Sequence, residues 1–211
     1  MSWTSISPAD VPTRLAAWLR TAPGTVRVAV EGPPCADPAE FATELIEPLR
    51  VRSRPAVHVE ASSFWRDASL RLEYGREDAA ALPSWLDADA LRREVLDPIA
   101  AAGHYLPSLR DPRTNRSTRE PVRAAEPATV LLVSGAFLLG VDLPFDRMIH
   151  LAMSPAARAR RTPTDQAWTL PAHEQYDTQV RPARVADVVV RLDDPNRPAI
   201  AFRDRNTPGA S

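Results

Sequence analysis

The residues that could do chemistry begin where the apolar run Val26–Val30 ends, and there Glu31 to Ala39 read EGPPCADPA ahead of a helical pattern. Strand, tight turn and helix start are the layout of a phosphate-binding loop, G-x-x-x-x-G-K-[ST]. In such a loop backbone N–H groups cradle the phosphates, the lysine neutralises charge and the hydroxyl holds magnesium. Here Gly32 keeps the first position, Pro33, Pro34, Cys35 and Ala36 follow, and Asp37, Pro38 and Ala39 stand where glycine, lysine and hydroxyl belong. No lysine elsewhere can rescue the site, because all 26 basic residues are arginine. The arginines nearest in sequence, Arg27 and Arg50, lie outside the turn.

These substitutions have a local logic. Asp37 suits an N-cap, Pro38 the first helical position where its missing N–H costs nothing, and Glu40 the fourth place of a D-x-x-E capping box. Two carboxylates then compensate the helix terminus that a phosphate would have used, and they repel an incoming triphosphate. The expectation is a vestigial phosphate loop, with no nucleotide or magnesium bound and no other metal site. Cys35 sits near the same helix start, where a thiol can become nucleophilic, but the nearby Asp37 disfavours the thiolate and favours a small filler role. His58, His104, His150 and His173 lack metal-ligand spacing. His58 and His150 fall within predicted strands, whereas His104 and His173 fall in predicted loops that could face a ligand cleft. Phe64, Trp65 and Tyr105 could stack on a planar ligand.

The elements that must position these groups are readable from periodicity. Helical spacing over Val11–Arg20, Pro38–Leu49 and Ala88–Ala101 alternates with apolar strand patterns over Thr25–Val30, Pro55–Glu60, Ala128–Val133, Met148–Met153 and Ala186–Leu192. Such alternation predicts a three-layer α/β domain with a central, mainly parallel sheet. Pro198–Phe202 reads as a short edge strand, Gly103–Pro127 as a long irregular connection, and Ser154–Arg181 as a short lid-like segment broken by Pro155, Pro163 and Pro171. One domain is expected over residues 1–205, with 206–211 as a loose tail.

Composition narrows the function classes. At 211 residues, 44% apolar and a net charge of -1, the chain can bury a substantial core and does not suggest a nucleic-acid-binding surface. Arg158, Arg160 and Arg161 form a short basic run of the kind usually found solvated. No apolar run is long enough to cross a bilayer, and the N-terminus lacks a basic start followed by an apolar stretch, so a cytoplasmic protein without membrane partners is expected. A single cysteine excludes an internal disulfide framework and a cysteine-rich metal site.

The order of landmarks resembles the uridine kinase family of P-loop kinases, in its divergent bacterial branch, over roughly residues 12 to 200. After the second strand that family carries D-[GS]-F-[HY]-x-R. This chain has Ser62-Ser63-Phe64-Trp65-Arg66, with Ser62 in the place of the aspartate that serves as base toward the nucleoside hydroxyl. The family's third strand ends in an acidic residue and glycine; here VLLVSGAFLL places Ser134 at the acidic position and keeps Gly135. LDADALRREVLDPI, the DPRTNR loop and RPARVADVVVRLDDP extend the similarity.

The resemblance implies a P-loop nucleoside-kinase fold, ATP and magnesium as cofactors, lid arginines among Arg158, Arg160 and Arg161, and an acceptor cleft near Ser62, Phe64, Trp65, Arg66, Asp111, Arg113, Arg116, Ser134 and Gly135. Phosphoryl transfer depends on positioning and charge neutralisation, and lysine, magnesium hydroxyl and base are all missing from the matched positions. The expectation is a pseudokinase that binds a small molecule or a protein partner. An enzyme with ATP-independent chemistry in the old cleft is the alternative, an active nucleoside kinase a more distant one, and homo-oligomerisation stays open.

Overall fold

The structure, a computed structural model, describes residues 2–203; the tail expected at 206–211 lies outside the described residues. β1 (Ser2–Ser5) and α1 (Asp10–Arg20) open the chain, and α1 buries Val11, Leu15, Ala16 and Leu19 as a stripe of helical period. β2 (Val26–Glu31) alternates Val26, Val28 and Val30 into one core and Ala29 into another, because it is covered on both faces. The helix expected over Pro38–Leu49 is split into α2 (Pro38–Glu44) and α3 (Ile46–Arg50). Pro48 has no N–H to offer the carbonyl of Glu44 four residues back, which breaks the ladder there.

β3 (Ala56–Glu60) and the short α4 (Ala68–Arg71) lead to α5 (Ala88–Leu91), which continues through a wide π turn at Arg92–Leu96 into α6 (Asp97–Ala102). Gly103 ends this helix at φ 63, a left-handed cap that glycine takes without strain. The connection expected to be irregular contains a two-stranded ribbon of β4 (His104–Tyr105) and β5 (Arg123–Ala124). β6 (Val130–Gly135) and β7 (Arg147–Ala152) follow, then α7 (Pro155–Arg161), α8 (Leu170–Gln179), α9 (Pro182–Val185), β8 (Val188–Arg191) and β9 (Ala199–Phe202). The prolines of the lid-like segment start elements rather than break them: Pro155 and Pro171 occupy first-turn positions of α7 and α8.

The main sheet has the order β1-β9-β8-β7-β2-β6-β3. Strands β8, β7, β2, β6 and β3 run parallel, while β9 is antiparallel to β8 and β1 antiparallel to β9. Ala199–Phe202 is therefore not the edge strand expected from its length. β1 covers it through backbone pairing of Ser2 with Phe202 through Ser5 with Ala199. Its SWTS residues are all exposed, so no burial pattern marks it.

One core, on the side of α1 to α3, joins Leu15, Phe41 and Leu45 to Val28, Val30, Leu132, Ile149 and Val190. The other, under α5, α6 and α8, joins Leu91, Ile99 and Tyr176 to Leu131, Val133 and Val189. Helices on both faces of a mostly parallel sheet make the three-layer α/β class anticipated. The carboxyl ends of β2, β6 and β3 open together where the connections from β2 diverge, which is where open α/β sheets place ligands.

Candidate functional site

Residues 32–40 form the first wall. Gly32 passes so close to β7 that a Cβ on it would lie 2.8 Å from Leu151 Cβ, and its N–H donates to the Gly135 carbonyl at 3.1 Å. Pro33, Pro34 and Pro38 carry no N–H. Ala36 donates to the Pro33 carbonyl at 2.8 Å and Asp37 to the Pro34 carbonyl at 2.9 Å, closing a 3-10 turn over Pro34–Ala36. Asp37 takes φ 49, a left-handed position that Asp tolerates better than most residues. Its carboxylate accepts from the Glu40 N–H at 3.0 Å, so it caps α2 as expected. The N–H of Asp37 is held by Pro34, so the other half of a capping box is not formed.

Behind this loop, a cavity of about 450 Å³ is lined on one side by Gly32, Pro34, Asp37, Pro38 and Ala39, and on the other by Trp65, Trp85 and Trp168. The three indoles form a continuous wall, with Trp65 and Trp85 centroids 5.3 Å apart and Trp85 and Trp168 5.9 Å apart. Arg71, itself buried, packs its guanidinium over the Trp65 and Trp85 rings at 5.2 and 4.9 Å. Segments 64–66 and 85–87 hold the wall in place: Arg66 N–H donates to the Trp85 carbonyl at 2.8 Å and Asp87 N–H to the Phe64 carbonyl at 2.9 Å.

The polar lining comes from strand ends. Glu60 closes β3, Ser62 lies two residues on and donates to the Glu60 carboxylate at 3.3 Å, and Ser134 is the penultimate residue of β6. Ser134 Oγ lies 2.8 Å from His58 Nε2, and His58 Nδ1 lies 3.4 Å from Thr43 Oγ1 on α2. Burial pushes the His58 imidazole pKa down, with the nearby Glu60 charge working in the opposite direction. Beneath the loop, Glu31 at the end of β2 and His150 on β7 are both buried, with Oε2 and Nδ1 2.6 Å apart.

His173 lies at the cavity floor, and of Arg158, Arg160 and Arg161 only Arg158 turns toward it. His173 lies on α8 rather than in a loop, because Pro171 starts that helix; it is 4% exposed and stacks on Phe137 with centroids 4.6 Å apart. Burial, followed by the charge of Arg158, holds its pKa down to about 4, against an opposing effect from Asp177. Arg158 turns inward, only 3% exposed, and donates to Asp177 at 2.8 Å. Arg161 instead donates to the Leu192 carbonyl at 3.0 Å, and Arg160 is exposed. Tyr176, next on the same helix face, bonds both the N–H and the carbonyl of Leu139 at 3.0 Å, and burial raises its hydroxyl pKa strongly.

Of the residues singled out in sequence, Gly32, Pro34, Asp37, Pro38, Ala39, Ser62, Trp65, Ser134 and Gly135 meet in this one cavity. Others do not line it. Phe64 is fully buried in the core beside Leu91, and the Arg66 side chain is exposed. Asp111 folds its carboxylate onto the N–H of Arg113 at 2.8 Å and of Thr114 at 3.3 Å, which keeps its pKa low and shapes the 111–116 loop, so Arg113 and Arg116 stay with that loop. Cys35 Sγ packs 3.7 Å from Met153 Sδ and against α7. His58, Glu60, Trp85 and Trp168 were missed. The period of two on β3 puts His58 and Glu60 on the same face as each other, and that signal was available.

Among the described residues, no three His, Cys, Asp or Glu side chains gather as a metal-binding group. No helix among them is long and apolar enough to cross a membrane. No family model matches the sequence, and no curated protein matches it significantly. Solved structures do share the fold. A possible uridine kinase from Bacillus stearothermophilus is 17% identical, with a TM-score of 0.70 over 85% of this chain and 97% of that one. A candidate fructose transport system kinase from Silicibacter sp. TM1040 is 21% identical, with a TM-score of 0.51 over 77% of this chain and 94% of that one. The YGR205w protein is 9% identical, with a TM-score of 0.53 over 94% of this chain and 100% of that one. The three-layer α/β fold with its mainly parallel central sheet is therefore shared with these solved structures.

Proposed function

We propose that this chain is a small-molecule-binding protein on a kinase fold, a pseudokinase that has given up nucleotide-dependent phosphoryl transfer. The observation that carries the reading is the state of residues 32–40: three prolines without N–H, and the N–H groups of Gly32, Ala36, Asp37 and Glu40 each engaged inside the protein. A phosphate cradle needs those donors free and convergent. The residues present also do not fit magnesium-ATP. Ala39 offers no hydroxyl, Ser134 is a weaker magnesium ligand than a carboxylate, and Asp37 adds a negative charge to the lining.

What persists is the acceptor side. A concave, mostly apolar space of about 450 Å³ with a few polar groups is the form of a small-molecule site rather than a protein-docking face. Its lining holds the carboxylates Asp37 and Glu60 and no arginine, which favours a neutral or cationic planar ligand stacked on the indoles. Calorimetry with magnesium-ATP and a non-hydrolysable analogue at near-millimolar ligand tests this. Absence of saturable heat supports the reading, and clear saturable binding sinks it.

A further inference from the structure

The hydroxyl of Ser134 is held in a chain of hydrogen bonds whose direction can be worked out. Thr43 Oγ1 donates its single proton to the Ala39 carbonyl at 3.0 Å. With that proton committed, the His58 tautomer protonated on Nδ1 donates to Thr43 Oγ1 across 3.4 Å, and activation of Ser134 rests on this tautomer. His58 Nε2 is then the bare nitrogen, and at 2.8 Å it accepts the proton of Ser134. A hydroxyl bonded to an unprotonated imidazole nitrogen, with the far nitrogen tied to a third group, is the arrangement of an activated nucleophile.

We infer that Ser134, His58 and Thr43 form a serine nucleophile, its general base and a positioning residue, and that the cavity carries acyl-transfer chemistry on neutral or cationic carboxylic esters with a planar apolar group. Ser134 lines the cavity, and so do Gly135, Ala136 and Phe137, which follow it in the chain. Phe137 holds φ 60, a left-handed conformation costly for an aromatic residue, and such strain concentrates at functional turns. Burial keeps His58 neutral near physiological pH, the state a base requires.

The steps balance without a cofactor. Ser134 Oγ attacks the ester carbonyl carbon while its proton moves to His58 Nε2. The carbon–oxygen bond to the alcohol breaks, and that proton leaves with the alcohol. Water, deprotonated by the same nitrogen, then releases the acid and restores the serine. The Trp65, Trp85 and Trp168 wall supplies the apolar surface for the planar part of the ester.

The test is covalent labelling of the full chain with a neutral fluorophosphonate, read by intact mass and peptide mapping. A single adduct on Ser134 is expected, displacing fluoride. In His58→Gln the labelling rate should fall by about 100-fold, the usual scale of a general base. Thr43→Val should slow it a few-fold, with Thr43→Ser restoring it because the hydroxyl acceptor returns. Circular dichroism and thermal unfolding of each variant separate lost activation from lost fold. An adduct on another residue, no adduct on the folded wild-type protein, or labelling indifferent to His58→Gln in a folded variant overturns the inference. Because labelling involves no nucleotide, its outcome stands apart from the magnesium-ATP measurement.

Discussion

The two walls of the cavity are built from opposite materials. Residues 32–40 are polar backbone in which the N–H groups of Gly32, Ala36, Asp37 and Glu40 bond inside the protein; the facing wall is three indoles with an arginine stacked behind them. A phosphate loop works through unsatisfied N–H groups, so a few substitutions that satisfy them close it. An aromatic wall works through shape and area, and it survives as long as the core behind it does. The contrast means that the two halves of the cavity respond differently to substitution.

It also predicts that damage to the aromatic side costs more than damage to the loop. Trp85→Ala removes a side chain only 8% exposed and strips Arg71 of one of its rings, so urea unfolding should show a loss of about 3–5 kcal/mol. The His173 floor gives a pH signature. Its pKa is about 4 folded against 6.5 unfolded, so between those values the unfolded chain binds a proton that the folded chain refuses. Stability should therefore fall as pH drops from 6.5 toward 4, by on the order of 3 kcal/mol from this group, with His58 adding in the same direction. His173→Gln should flatten much of that slope; an unchanged slope would mean that the burial is relieved in solution.

Smaller effects follow. Tyr176→Phe leaves the N–H and carbonyl of Leu139 without their buried partner and should cost about 2 kcal/mol in the same unfolding assay. Asp37→Ala removes the α2 cap and puts a Cβ residue without a capping side chain at φ 49, for a loss of about 1 kcal/mol. Asp37→Gly should sit close to wild type, since glycine suits that backbone angle. On the proposed function neither change should produce magnesium-ATP binding in calorimetry, because the three prolines remain and the loop contains no lysine. An Asp37 effect equal to that of Trp85 would erase the contrast between the two walls.

Much of this was legible in residue order. The strands and most helix starts announce themselves by period and by proline, and Asp37 was recognisable as a cap from D-P-A-E alone. The serine at the end of β6 stood out because its neighbours Gly135 and Phe137 kept their pattern. Other features left no local trace. β1 is a polar, exposed tetrapeptide held only by pairing with β9, and α8 has no clear apolar stripe. Trp85 and Trp168 lie 83 positions apart, and nothing in either stretch says that their rings meet.

The sequence by itself determined the fold class and which side chains stand at positions 37–39, 62 and 134, because those follow from periodicity and from residue identity alone. Only the tertiary structure decided that the N–H groups of Gly32, Ala36, Asp37 and Glu40 are engaged, that Glu60 enters the cavity and that Ser134 meets His58, which in turn meets Thr43. Those depend on parallel register between β3 and β6, which sets Glu60 beside Ser134 and His58 beside Leu132, and on α2 packing over that face. Register and packing are long-range quantities, fixed by two distant segments at once and therefore readable from neither alone.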